Sequence, residues 1–265
     1  SGVAYNISGL YSGGTYEVQV ASVCGATAGS FSASVWFTTP LVPTATIGFK
    51  LYLQGAYLSA SGLMGTALAS GGLLPIAQPY NAQPWLYAGA ETIAQLPTTA
   101  TDWVLIEARN ATNPNTIAET RAALLLNNGT LQDVSGTAGV KFYQLLPGAA
   151  YYFVARHRNH LAVITAAPQT VTVTGANIDF TLPANVMMGA TQLKLLPNGA
   201  YALAAGDIDA NGVFTVADFN LYQAQASGLN GYFAADVNLN GSVTVSDFNL
   251  YFPNSSMIGV TLIRY

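Results

Sequence analysis

Residues 206–254 read GDIDANGVFTVADFNLYQAQASGLNGYFAADVNLNGSVTVSDFNLYFPN, and one phrase occurs in them twice. DIDANGVFTVADFNLY starts at Asp207 and DVNLNGSVTVSDFNLY at Asp236, a period of 236 − 207 = 29 residues. Calcium takes hard oxygen ligands, and a twelve-residue loop supplies them from positions 1, 3, 5, 7 and 9 and a closing acid at 12, with glycine at 6 for the sharp turn. The first copy puts Asp207, Asp209, Asn211, the carbonyl of Val213, Thr215 and Asp218 in those places, with Gly212 at the turn. The second puts Asp236, Asn238, Asn240, Ser242, Thr244 and Asp247 there, with Gly241 at the turn. Asp, Asn and Gly favour turns unaided, but turns alone need neither the closing Asp nor the repeat. The spacing predicts two Ca2+ sites, each leading into a short helix packed through Phe219, Leu221 and Tyr222 or through Phe248, Leu250 and Tyr251. With two Asp against three, the second loop is expected to release its ion first.

The charge of the chain points to the same stretch. Only 8% of the 265 residues are charged and mean hydropathy is +0.35, against roughly a quarter charged in ordinary globular domains. Five of the twelve acids lie in the doubled stretch, so the formal −4 is a local property that two divalent cations would cancel. Basic residues are few and scattered, which excludes a nucleic-acid partner. The longest uncharged run, Leu51–Ala90, is broken by glycines and prolines, so no membrane span is expected. No signal peptide opens the chain, which fits a mature, processed fragment. A surface so poor in charge is expected to be buried against partners or coated by something other than charge.

Upstream the signals are those of strands. Residues 1–40 alternate around turns at Ser12-Gly13-Gly14 and Gly25–Gly29. From Thr46 to about Pro183, segments such as GFKLYLQGAYL, DWVLIEARN, TRAALLLNNGTLQ, AYYFVARHRN and TVTVTGANIDFTL continue the pattern without long helical periodicity. The fold class expected is mainly β: tandem sandwiches of fibronectin III or immunoglobulin type, with a small helical double-loop module at the C-terminus. The expected divisions are 1–40, a sandwich over 41–202 with a long Gly/Pro-rich insertion at 59–101, the double-loop module at 203–254, and a final strand at 255–265.

Three resemblances follow from these motifs. Tyr5, Ile7, Gly9, Leu10, Gly13 and Tyr16, with the exit VWFTTP, resemble the last three strands of a fibronectin type III domain. Three strands leave an apolar face uncovered, so the missing half is expected upstream or from a neighbouring subunit. Asp at position 12 of both loops resembles the type I dockerin module. Dockerins bind cohesins through loop positions 10 and 11 and a basic residue further along. Those positions here are Val216-Ala217 and Val245-Ser246, and no Lys or Arg lies between Lys194 and Arg264. Cohesin docking is therefore not expected, and packing against the module's own chain or the next subunit is. Finally, GFKLYLQGAY, GLLPIAQPYNAQPWLYAG, DWVLIEARN, AALLLNNGTLQD and ARHRNHLAVIT, with the doubled stretch, resemble a module of large Bacteroidota cell-surface proteins. That resemblance implies an extracellular location and type IX secretion.

Other constellations carry less. His157 and His160 are the only histidines, and at i and i+3 on a strand they would face opposite ways. Glu107 and Glu119 are not placed together by anything in the sequence, and no G-x-S-x-G occurs; enzyme function is not expected. Trp85 and Tyr87 are candidate glycan contacts, with burial in a core or interface as the competing reading. Asn6, Asn110, Asn128 and Asn254 open sequons, candidates for glycosylation on an extracellular surface. Cys24 has no partner in the chain and reads either as a small buried apolar residue or as half of a disulfide to another chain. The function expected is a non-enzymatic subunit of an extracellular fibre or surface layer, self-associating through its β-domains. The alternatives are an adhesin or carbohydrate-binding module, and an ancillary region of a secreted hydrolase.

Overall fold

Apolar residues recurring every second position become strand, and the fold is mainly β, with 33% strand against 14% helix. The computed structural model describes residues 6, 7, 10, 13–39, 44–172 and 175–265. Tyr5 and Gly9 of the fibronectin-like pattern lie outside them. The chain divides into two compact units, Ser1–Pro43 and Thr44–Tyr265.

In the first unit, β1 (Thr15–Val18) pairs antiparallel with β4 (Val35–Thr38), and β2 (Val23–Cys24) with β3 (Thr27–Ala28). The register sets Tyr16 beside Phe37 and Val18 beside Val35, giving one apolar face on which the two rings stack at 5.8 Å. None of the described residues of this unit is buried. Cys24 is exposed, which corrects its reading as a buried apolar residue.

The second unit opens with β5 (Ala45–Lys50), flanked by the hairpin of β6 (Tyr57–Leu58) and β7 (Leu63–Met64) and the single turn of α1 (Ala67–Ser70). Two long strands follow, β8 (Ala100–Asn110) and β9 (Ile117–Leu126), then β10 (Leu131–Gln132), β11 (Val140–Phe142), β12 (Ala150–Arg156), β13 (Val163–Ile164), β14 (Gln169–Thr170) and β15 (Asn177–Asp179). One sheet runs β10-β9-β8-β12-β13, with β14 also on β12; another runs β11-β5-β15, with β15 parallel to β5. The antiparallel pair β16 (Leu193–Leu195) and β17 (Tyr201–Leu203) leads into the doubled stretch.

The two larger sheets meet through aromatic rings. Phe49 of β5 lies 5.5 Å from Phe153 of β12, and Phe142 of β11 lies 5.9 Å from the same ring, in edge-on geometries that suit their quadrupoles. β8 is buried along both faces from Ala100 to Arg109, so its apolar run Trp103–Ile106 does not alternate, and its charged residues Asp102, Glu107 and Arg109 are buried in ion pairs. The 59–101 insertion is packed: Met64, Leu68, Leu74, Tyr80 and Ile93 join the main core, and the Trp103 indole donates to Pro75 O at 2.8 Å.

The tail is the main departure from the expected elements. Residues 255–265 form no strand. Their backbone lies along the first loop and ends in a 3-10 turn at Thr261–Ile263, while Val260 and Ile263 pack on Val154 and Ile164. Burying each such side chain is worth about 1.5–3 kcal/mol, enough to favour closure over a free edge. Beneath the tail Glu107 is clamped by Arg109 (2.7 Å) and Arg156 (2.5 Å), and the Arg156 guanidinium lies 4.2 Å from the Tyr265 ring centroid. Residues 44–202, 203–254 and 255–265 thus form one unit.

Candidate metal centre

Each copy of the doubled phrase folds into a loop that feeds a capped helix: α2 (Val216–Gln225) after the first and α3 (Val245–Tyr251) after the second. The caps are reciprocal. Thr215 and Thr244 each accept from the first helical turn, while Asp218 and Asp247 reach back to the cap residues' own N–H groups, an arrangement that satisfies donors otherwise left open at a helix start. The loop backbones repeat as well. Position 4 is left-handed in both (Ala210 φ 56°, Leu239 φ 60°), and position 6 is a glycine at φ 85° and 86° (Gly212, Gly241), where a β-carbon would be strained.

The carboxylates are held in the same way twice. Asp218 Oδ1 accepts from Ile208 N and Asp209 N, and its Oδ2 from Thr215 N. Asp247 repeats these bonds with Val237 N, Asn238 N and Thr244 N. Asp207 accepts from Gly212 N and Asp236 from Gly241 N. Asn211 and Asn240 accept from Val213 N and Ser242 N. Each repeat also clips the other. Tyr222 Oη of the first copy donates to Thr244 O of the second at 3.2 Å, and Tyr251 Oη donates to Thr215 O at 2.9 Å. The residues expected to pack the helices do so in two clusters, Leu221, Tyr222 and Leu250 in one, Phe219, Phe248 and Tyr251 in the other.

In the first loop, oxygens of Asp207, Asp209 and Asp218 come within 4.8 Å of one another, a cluster that could hold a metal ion. Asp207 and Asp218 are buried, and all the available donors are oxygens, which suits a hard cation. Burial, and then the charges of Asp218 and Asp209, push the Asp207 carboxyl up to about 8. In the second loop burial, opposed by Gly241 N–H, Arg158 and Asn240 N–H but reinforced by the Asp247 charge, leaves Asp236 at about 6. The site with three carboxylates is the more strongly frustrated, as like charges in a small buried volume must be.

The histidines correct the expectation drawn from strand geometry. β12 ends at Arg156, so His157 and His160 are not on a strand, and their Nδ1 atoms lie 3.1 Å apart. Gly55 N donates to His160 Nε2, which leaves the proton of His160 on Nδ1, where Asn159 Oδ1 accepts it at 2.8 Å; His157 Nε2 pairs with Asp102 Oδ2 at 3.2 Å. The His160 ring is thus neutral. Burial lowers both histidines, for His157 against the pull of Asp102. Burial would raise Asp102, but Arg158, His157 and Tyr232 together hold it well below the usual carboxylate range.

This segment is a clasp between sheet and loops, which the sequence reading missed. Arg158 donates to Asp102 Oδ2 at 2.9 Å and to Phe233 O, and Tyr232 Oη donates to Asp102 Oδ1 at 2.6 Å. Asn159 Nδ2 donates to Ala234 O and Asp236 O, both at 2.8 Å. Asn254 is fully buried and donates to Gln54 Oε1 and Ala205 O, which corrects its reading as a glycan acceptor. Asn110 and Asn128 are exposed, each accepting from the Thr two residues on (2.7 Å), and Asn6 is exposed. Trp85 and Tyr87 are half-buried against the main core, and Tyr87 Oη donates to Glu91 at 2.5 Å, so they are wall elements rather than an open stacking platform. Glu107 and Glu119 face opposite ways, since Glu119 sits beside Ala108 in the β8–β9 register.

No protein-family model, curated protein or solved structure matches this chain.

Proposed function

We propose that the protein is a non-enzymatic structural subunit of an extracellular, bacterial-surface assembly, held rigid by two calcium ions in a dockerin-like C-terminal module. The observation that carries this reading is where the charge sits. Twelve of the twenty charged side chains are buried, so eight serve a surface that also exposes Leu58, Ile76, Leu182, Leu195 and Phe252. A monomer would need more charge to stay dispersed, and self-association through β-domain faces removes that need. The exposed Val35 and Phe37 on one face of the β1–β4 pair support completion of a fibronectin-like half domain by another segment, and the sheets meeting at Phe49 and Phe153 support a sandwich. The two identically built loops support two Ca2+ sites, of which the Asp236 site is the weaker. His157 and Glu107 are engaged by their own neighbours, which supports a role without catalysis.

Electron microscopy and sedimentation, with calcium and with a chelator, test the reading. Ordered oligomers or fibres that fall apart or soften on chelation are expected; dispersed monomers in both conditions would overturn it. Calorimetry is expected to resolve two classes of calcium site.

A further inference from the structure

The two faces of the β1–β4 pair carry different chemistry, because side chains alternate along a strand. Tyr16, Val18, Val35 and Phe37 share one face. On the other, the register sets Trp36 opposite Glu17 and Thr38 opposite Thr15, and directly opposed residues stand on the same side of a sheet. Gln19, two residues after Glu17, joins them. Its Nε2 donates to Ser34 Oγ at 2.8 Å, and Ser34 Oγ donates to Glu17 Oε1. Glu17 Oε2 meets no donor among the described residues.

Trp36 is 64% exposed, whereas Trp103 is fully buried and Trp85 half-buried against the main core. A segment that completes a sandwich over Val35 and Phe37 would leave the Trp36 face in solvent, so a missing half domain does not account for this ring. Single exposed apolar side chains are common. Here the indole stands on one open face with a carboxylate, an amide and a hydroxyl, the last three already linked to one another.

We propose that this face binds a neutral oligosaccharide of hexopyranoses with equatorial hydroxyls. Such a ring is apolar on its C–H face and polar around its rim. The C–H face lies on the Trp36 indole, while rim hydroxyls donate to Glu17 Oε2 and exchange hydrogen bonds with Gln19 and Ser34. Glu17 is the only charged residue before Lys50. Its sign, with no nearby cation, disfavours nucleic acids and acidic sugars. A protein surface pressed on Trp36 would bury that carboxylate without a counter-ion, whereas a sugar supplies it with hydroxyl donors. This site is independent of the calcium reading.

The test is a titration of the whole chain with cellohexaose and with laminarihexaose, both built of such rings, read by tryptophan fluorescence and calorimetry. Saturable quenching at about millimolar sugar is expected with at least one of them, and Trp85→Phe is expected to keep it. Trp36→Ala is expected to bind at least about tenfold more weakly, and Glu17→Gln several-fold. Both substitutions fall at exposed positions, and circular dichroism checks that the variants stay folded. No saturable binding of either sugar, or binding that survives Trp36→Ala, would overturn the proposal. Oligoglucuronate binding more tightly than the neutral sugars would overturn the ligand class. Loss of self-association in Trp36→Ala, read by sedimentation, would assign the ring to a contact between copies and overturn the proposal.

Discussion

Asp102→Asn removes one charge from the clasp and almost no volume, which isolates its electrostatic role. Asp102 is fully buried and accepts from Arg158, His157, Tyr232 and Trp103 N. With the charge gone, the Arg158 guanidinium stays buried without a counter-ion. Breaking a buried pair from one side costs about 3–5 kcal/mol. The unit Thr44–Tyr265 spans 265 − 43 = 222 residues, so its unfolding entropy is about 0.47 kcal/mol/K and Tm should fall by about 6–11 °C. Scanning calorimetry reads this directly. Adding Arg158→Met removes the orphaned charge and should recover at least about 1 kcal/mol, a coupling that a double-mutant cycle measures. Because Tyr232 and Arg158 hold the segment that enters the second loop, calcium affinity at the Asp236 site should fall while the Asp207 site is unchanged. A Tm within about 2 °C of the parent, or strictly additive mutations, would refute the clasp.

In chelator the carboxyls raised to about 8 (Asp207) and about 6 (Asp236) set the pH dependence. Their folded values lie above the unfolded value of about 4, so the stability they contribute is present below about 4 and is lost as pH rises through the folded values. The two buried histidines, lowered in the fold, act in the opposite sense below their unfolded value of about 6.5, so thermal scans in chelator should show Tm falling above about pH 7 as Asp207 ionises, and calcium should flatten that fall by neutralising the cluster. Gly55→Ala places a methyl 1.8 Å from Val237 O at the entry to the second loop, with backbone as the obstacle. A loss of about 1–3 kcal/mol in urea unfolding is expected, with weakened calcium binding at that loop. Tyr222→Phe and Tyr251→Phe each delete one cross-repeat bond, and each should cost about 1 kcal/mol in the same assay.

The doubled loops were legible in the sequence because their chemistry is local. Asp207 to Asp218 is one turn of chain, the glycine at 6 answers a backbone angle, and the Thr-x-x-Asp caps act over three residues. The strands were legible too, from period-two alternation. What tertiary structure decided are the partners that lie far apart in the chain. Asp102 meets His157 and Arg158 across 55 and 56 residues, and Asn254 meets Gln54 across 200. Periodicity places a side chain on a face but does not say what covers that face. Asn254 therefore read as a sugar acceptor and is a buried bolt. The i, i+3 argument separated two histidines that a bend after Arg156 brings together. The tail GVTLIRY has the composition of a strand, yet it lies along the first loop, because Val260 and Ile263 gain more from burial on β12 and β13 than an unpaired strand gains at an edge.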